Sequence, residues 1–333
     1  MSLPLPKLPL DARLPWLASL QGSLEAALRS DRLGHAVLLQ VAPALGGEWL
    51  ATWLAARIFC SAASTARPCG VCLACRRVLG GEQYDLQWLQ PIEDSREIRI
   101  DQVREMVDEL ALTSHGGGRK IVILSPAERL NRAAANALLK TLEEPTRGSL
   151  LLLVTGEPSR LPSTILSRCT RLRAAQPTEA VMREWLQQHA GKSADWAAVL
   201  QVLGAKPLEA MSVDAAALTQ LQRETVRALE QAAAGSLDPV GTAETWGKED
   251  YAVRIACIEA WLLGRIRQWA LREPARRGSA DKAVQSLFAI LDETREARHW
   301  ADTPINKPLA LERLLWRLNS LASSATASNR RPG

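Results

Sequence analysis

The sequence predicts an α/β chain, with a doubly wound parallel sheet in its first half and helices alone in its second. Three observations carry this. Two apolar runs, Ile121 to Leu124 and Leu150 to Val154, have the length of buried strands, and between them Leu130, Ala134, Leu138 and Leu142 recur at four-residue steps. The same alternation of strand and helix signals extends over about 175 residues from the start of the chain. After Gln176-Pro177 strand signals stop. Strand, helix and strand at this spacing imply right-handed crossovers and parallel pairing. In such a sheet ligands sit beyond the carboxyl ends of the strands.

Taken in order, the elements begin with a Pro- and Leu-rich segment and a short amphipathic helix, Leu17 to Leu28. Ala36 to Gln40 reads as the first buried strand, Val41 to Gly47 as a small-residue loop, and Glu48 to Cys60 as a helix through Leu50, Trp53, Leu54 and Ile58. Asp85 to Gln90 alternates as a strand does. Ile100 to Leu112 is an amphipathic helix with Val103, Val107 and Leu110 on one face, and Asp101 is its expected cap. A Gly116-Gly117-Gly118 loop feeds the strand that starts at Lys120. Asn131 is placed to cap the next helix, which Pro145 and Gly148 stop. Thr170 to Arg173 is the last short strand. Ala-rich helical segments then follow at 214–234, 249–273, 281–298 and 307–322. Within the second of these, Trp261, Arg265 and Trp269 form a stripe that reads as an arginine stacked on indole rings.

Bulk composition narrows the class without naming it. The chain has 333 residues, so two or three domains are expected, and 47% hydrophobic content supplies a core. A formal charge of +5 permits weak association with nucleic acid but does not argue for it. No leader pattern and no apolar run of membrane length is found, so a soluble cytoplasmic protein is expected. Eleven Trp stand against two Phe and two Tyr, which fits no class rule and points only to local packing.

Cys60, Cys69, Cys72 and Cys75 form a C-x8-C-x2-C-x2-C cluster. Two thiolates in C-x2-C converge on one ion in a tight turn, and Pro68 and Gly70 supply turn residues. Four thiolates at ~2.3 Å make a closed tetrahedral zinc site with no open position for water or substrate. Structural Zn2+ is therefore expected. Disulfides or an iron–sulfur cluster are the competing chemistries. Cys169 and Cys257 are isolated and read as buried apolar residues.

The loop after the first strand is where a phosphate-binding chain carries G-x-x-x-x-G-K-[ST]. Here the residues in register run from Val41 to Glu48, and only Gly46 survives. Gly47 replaces the lysine that would reach the phosphates, and Glu48 replaces the hydroxyl that would hold magnesium. An acidic residue at a helix start repels a phosphate. The third strand ends in Ser125 and Pro126 where a metal-binding Asp and a water-activating Glu are expected, and Glu128 lies two residues too far along. No productive ATP binding is expected.

Four features together resemble one family: Asn136 to Pro145 (NALLKTLEEP), Ser167-Arg168-Cys169, His35-Ala36 before the first strand, and the four-cysteine insertion. This is similar to the clamp-loader branch of the AAA+ ATPases, over residues 1 to about 210. Only the segment Ile305 to Leu309 and the helical class match beyond that. The resemblance implies a RecA-like AAA+ domain at 1–176 containing the zinc module at 60–75, a helical lid at 177–211 and a helical collar at 212–322; the terminal tail at 323–333 is expected to be disordered from its own sequence. It implies as partners the tau/gamma motor subunits and the delta subunit in a heteropentameric ring of the DNA polymerase III holoenzyme, with the sliding clamp and primer-template DNA. It also implies a role for Arg168, with Ser167 and Cys169 in support, as an arginine finger acting in trans on a motor subunit's ATP. A guanidinium so placed stabilises charge on a transferring phosphoryl group. The competing role is a surface residue paired with Glu157. Two other functions stay open: an autonomous AAA+ ATPase with a degenerate loop, and a stand-alone zinc-dependent nucleic-acid-binding protein.

Overall fold

The computed structural model describes residues 7–63, 67–92, 95–114, 118–271, 281–299 and 306–328. Helix α1 (Ala18–Arg29) precedes β1 (Ala36–Gln40), and a tight turn at Pro43–Leu45 leads into α2 (Gly47–Phe59). Then come α3 (Leu73–Gly80), β2 (Leu86–Leu89), α4 (Ile100–Ala111), β3 (Lys120–Leu124), α5 (Arg132–Glu143), β4 (Ser149–Thr155), α6 (Ser163–Leu166) and β5 (Thr170–Arg173). The strands form one parallel sheet in the order β2-β3-β4-β1-β5. β1 is thus interior, with Ala36 opposite Leu151 of β4 and Val37 opposite Thr170 of β5.

Period-two alternation divides the strand residues between two faces. Leu38, Val122, Leu124, Leu151 and Leu153 are buried in one core with residues of α4, α5 and α6. The intervening residues take the other face, where α2 packs on β1 and β4. β4 is buried along its whole length, as a central parallel strand covered on both sides must be.

The caps follow local chemistry. The Asn131 side chain accepts from the Ala134 N–H at 2.8 Å, as its type and position predict. Asp101 does not cap α4. The cap position is Arg99, whose N–H is accepted by Gln102 Oε1 at 3.0 Å, and Asp101 lies inside the first turn. There its carboxylate still meets the positive end of the helix dipole.

The remaining elements are α7 (Glu179–His189), α8 (Trp196–Leu203), α9 (Pro207–Ala210), α10 (Ala215–Ala233), α11 (Pro239–Lys248), α12 (Tyr251–Ala270), α13 (Asp281–His299) and α14 (Lys307–Ser328). The chain forms two compact units. One runs to residue 185 and includes 207–209; the other holds 186–206 and the chain from 210 onward. Boundaries at 177 and 212 do not coincide with these units. Trp185 is held by the amino-terminal segment and Leu208 approaches Gly46, so both belong with the sheet.

The helical unit packs α8 against α10 and α12, and α11 against α14. Its core includes Trp246, Tyr251, Ile255, Ile258, Leu311 and Leu315. Arg254 is buried there, its guanidinium 4.8 Å over the Trp246 ring and donating to Thr225 Oγ1 at 3.0 Å. Arg265 stacks 4.8 Å over Trp261, which packs on the core. The expected disordered tail from 323 is instead helical to Ser328, because α14 continues. Residues 329–333, and Gly116 and Gly117, lie outside the described residues. Among the described residues no helix is long and apolar enough to cross a membrane.

Candidate functional site

At the carboxyl ends of β1, β3 and β4, the loop from Val41 to Glu48 is folded onto itself. The N–H groups of Leu45 and Gly47 donate to Ala42 O at 2.9 and 3.3 Å, and that of Gly46 to Pro43 O at 2.8 Å. A phosphate cradle needs such N–H groups turned outward. Gly46 is left-handed at φ +91, and Gly47 is pressed against the sheet: a Cβ there would stand 2.3 Å from Val41 O and 2.7 Å from Val154 Cγ1. No lysine fits position 47 without moving the loop. The Glu48 carboxylate accepts from the Ser125 hydroxyl at 2.8 Å, joining the start of α2 to the end of β3. Glu128 is tied elsewhere, accepting from the Gly156 N–H at 3.2 Å.

The space beside the loop is filled by the amino-terminal segment. Leu14 and Leu17 are fully buried and reach within 2.6 and 3.3 Å of where a Cβ on Gly46 would be. The Trp16 indole N–H donates to Leu45 O at 2.8 Å, and its ring meets Trp185 edge to face at 5.3 Å. Trp185 donates to Arg13 O at 2.8 Å and Trp49 to Pro9 O at 2.9 Å. Three of the tryptophans thus hold one segment over the loop, each indole N–H satisfied by a carbonyl.

Arg168 lies at the other end of the sheet. It follows α6 and precedes Thr170, which pairs with Val37 at the start of β1, whereas Gly47 lies beyond Gln40 at that strand's end. A five-residue parallel strand separates these ends by about 15 Å. The Arg168 guanidinium donates to Glu143 Oε1 through Nε at 2.8 Å and Nη2 at 2.6 Å. Its Nη1 reaches Thr164 O at 3.1 Å and Ser167 Oγ at 3.2 Å. Cys169 packs against the sheet core, and burial pushes its thiol up to about 11. Ser167 therefore braces the arginine from one side, while Cys169 anchors the backbone below it. His35 Nε2 lies 2.9 Å from Leu142 O, tying the end of α5 to the start of β1.

Glu157 is not the partner of Arg168. It pairs with Arg160 at 3.3 Å, one helical turn away. Sequence reasoning missed Glu143 because the contact spans 25 residues and the whole β4 crossover. The available signal was topological: the end of α5 and the residue before β5 must both lie at the amino end of a parallel sheet.

The four cysteines of the insertion converge, their sulfurs all within 4.8 Å of one another. A tetrahedral zinc site with ~2.3 Å bonds has sulfur–sulfur edges of about 3.8 Å, so this set fits a single ion. The separation is far from a disulfide bond, and all four thiols are free. The N–H groups of Cys72 and Cys75 point at Cys69 Sγ and Cys72 Sγ at 3.3 and 3.5 Å. That of Cys75 is the main cause holding the Cys72 thiol down at about 5, while burial pushes Cys75 up to about 12. Four thiol donors with N–H support suit a soft divalent ion.

A parallel sheet in this strand order, with a loop and helix after its interior first strand, defines a RecA-like AAA+ fold. The family described as "DNA polymerase III, delta subunit" matches residues 18–178. The chain is 33% identical to DNA polymerase III subunit delta' of Pseudomonas aeruginosa over 277 residues, 82% of this chain and 84% of that protein. It is 30% identical to the subunit delta' of Yersinia pestis over 302 residues, 89% and 86% of the two chains. Identity to DNA polymerase III subunit tau of Escherichia coli is 35% over 147 residues, 44% of this chain and 22% of that one. The chain belongs to the family of DNA polymerase III delta-prime subunits.

Proposed function

We propose that the chain is a subunit of the bacterial clamp loader that turns over no ATP itself and lends Arg168 to the ATP site of a neighbouring motor subunit. The observation that carries this is the separation of Arg168 from the chain's own loop by the length of β1. An arginine at the amino end of the strands is out of reach of any phosphate at their carboxyl ends, so its use is in trans. The closed loop, with Gly47 against Val41 and Glu48 bonded to Ser125, supports the absence of ATP chemistry in this chain. The likeness to a tau subunit supports a motor neighbour of the same architecture.

In this reading the partners are tau/gamma and delta subunits in a pentameric ring, which loads the sliding clamp onto primed DNA in the cytoplasm. In it the helical segments between 177 and 322 act as a lid and a ring-forming collar. Cys60, Cys69, Cys72 and Cys75 would hold a structural zinc that staples the insertion after α2; with four protein ligands it offers no site for substrate. Ser167 and Cys169 act only through the arginine they hold.

The test is a reconstituted clamp loader carrying Arg168→Ala. Assembly should be unchanged and clamp- and DNA-stimulated ATP turnover should fall at least tenfold, as loss of a finger in trans requires. Unchanged turnover removes the finger role. Robust ATP hydrolysis by the isolated chain would restore the autonomous ATPase.

A further inference from the structure

We propose that Glu143 is a positioning residue that parks Arg168 until a neighbour's nucleotide takes the arginine from it. The inference rests on the trans reading of Arg168 and specifies how that arginine is regulated. All three guanidinium nitrogens have an acceptor inside the chain: Nε and Nη2 on Glu143 Oε1, and Nη1 on Thr164 O and Ser167 Oγ. The side chain is consequently folded back, only 35% exposed although it ends at the surface. An arginine so engaged cannot also extend to a phosphate; at least the Glu143 contacts must be released first.

The chemistry makes that release inexpensive and selective. Glu143 is 51% exposed, so water replaces the guanidinium as soon as it leaves. Exposed ion pairs of this kind are weak, and a single carboxylate competes poorly with the clustered charge of a triphosphate. A small or singly charged anion does not gain enough to displace Glu143. The pair therefore acts as a threshold, holding the finger in one rotamer before the neighbour is loaded and yielding to a polyphosphate.

The experiment uses the reconstituted clamp loader and follows the ATP concentration giving half-maximal turnover. Glu143→Gln removes the competing charge and should lower that concentration about two- to five-fold, the range set by a weak exposed pair. Glu143→Asp keeps the charge and should stay closer to the unaltered complex. In an Arg168→Ala background, Glu143→Gln should have no effect. An unmoved or raised half-saturation with Glu143→Gln overturns the parking role, as does a loss of turnover alone, which makes Glu143 an aiming device. Arg168→Ala measured alone reports separately on the finger, so failure of one reading is distinguishable from failure of the other.

Discussion

The Glu48 carboxylate accepts the Ser125 hydroxyl at 2.8 Å, closing the carboxyl end of the sheet where a metal-bound phosphate would otherwise sit. The pair joins two positions at which a phosphate-binding motif would carry other residues, a hydroxyl at 48 and a metal-binding acid near 125. Restoring the missing motif should therefore fail. Gly47→Lys with Glu48→Thr should lower stability by about 1–3 kcal/mol, because a Cβ at 47 collides with Val41 O. Thermal melting with and without ATP and magnesium should show no nucleotide-dependent shift. A rise in melting temperature on adding ATP would contradict the structural account of the loop.

Trp16 should be among the costliest single truncations in the sheet unit. Trp16→Ala empties a buried indole site, removes the donor to Leu45 O and breaks the edge-to-face contact with Trp185. A loss of about 3–5 kcal/mol is expected from denaturant unfolding. Trp16→Phe should recover part of it, keeping the ring but not the N–H.

Glu25 of α1 and Arg57 of α2 form a bidentate pair, with Nη2 2.7 Å from Oε1 and Nε 2.8 Å from Oε2, and Arg29 adds a third donor. Arg57 is the main cause holding the Glu25 carboxyl below its ordinary 4.5. A depressed carboxyl contributes stability that is present above the unfolded value and lost as pH falls through the folded one. Glu25→Gln should thus cost about 1–2 kcal/mol at neutral pH, with both side chains about four-fifths buried. The difference should vanish in acid below both values. A cost independent of pH would show that packing rather than charge holds α1 to α2.

Metal analysis of the purified chain should give about one zinc per protein, falling to none in Cys72→Ser. Strong chelation should leave the sheet intact, with new amide exchange confined to Cys60 and residues 67–75. A fully folded, metal-free preparation would refute the site.

The sheet was legible because its signals are local. β4 is an unbroken apolar run, α5 has a four-residue period, and Asn131 caps by its own chemistry, so each can be read without its neighbours. The cysteine cluster was legible because ligand spacing is a short-range property. The Arg168–Glu143 pair was not, since it exists only after the crossover through β4 brings two ends together. Leu14, Trp16 and Leu17 were likewise unreadable as a filling for the loop: a three-residue turn carries no period, and its Pro and Leu content says nothing of what it covers. Asp101 misled because cap and first-turn acid differ by two positions and share one residue type.

The amino-terminal segment over the loop has one further consequence. A diffusible ligand fills its site in proportion to its concentration, whereas a tethered occupant has a fixed effective concentration set by the chain. Being tethered, the segment packs beside the loop to an extent that dilution does not change. What takes the place of an affinity is the free energy of lifting Leu14, Trp16 and Leu17 away, which is a local unfolding equilibrium.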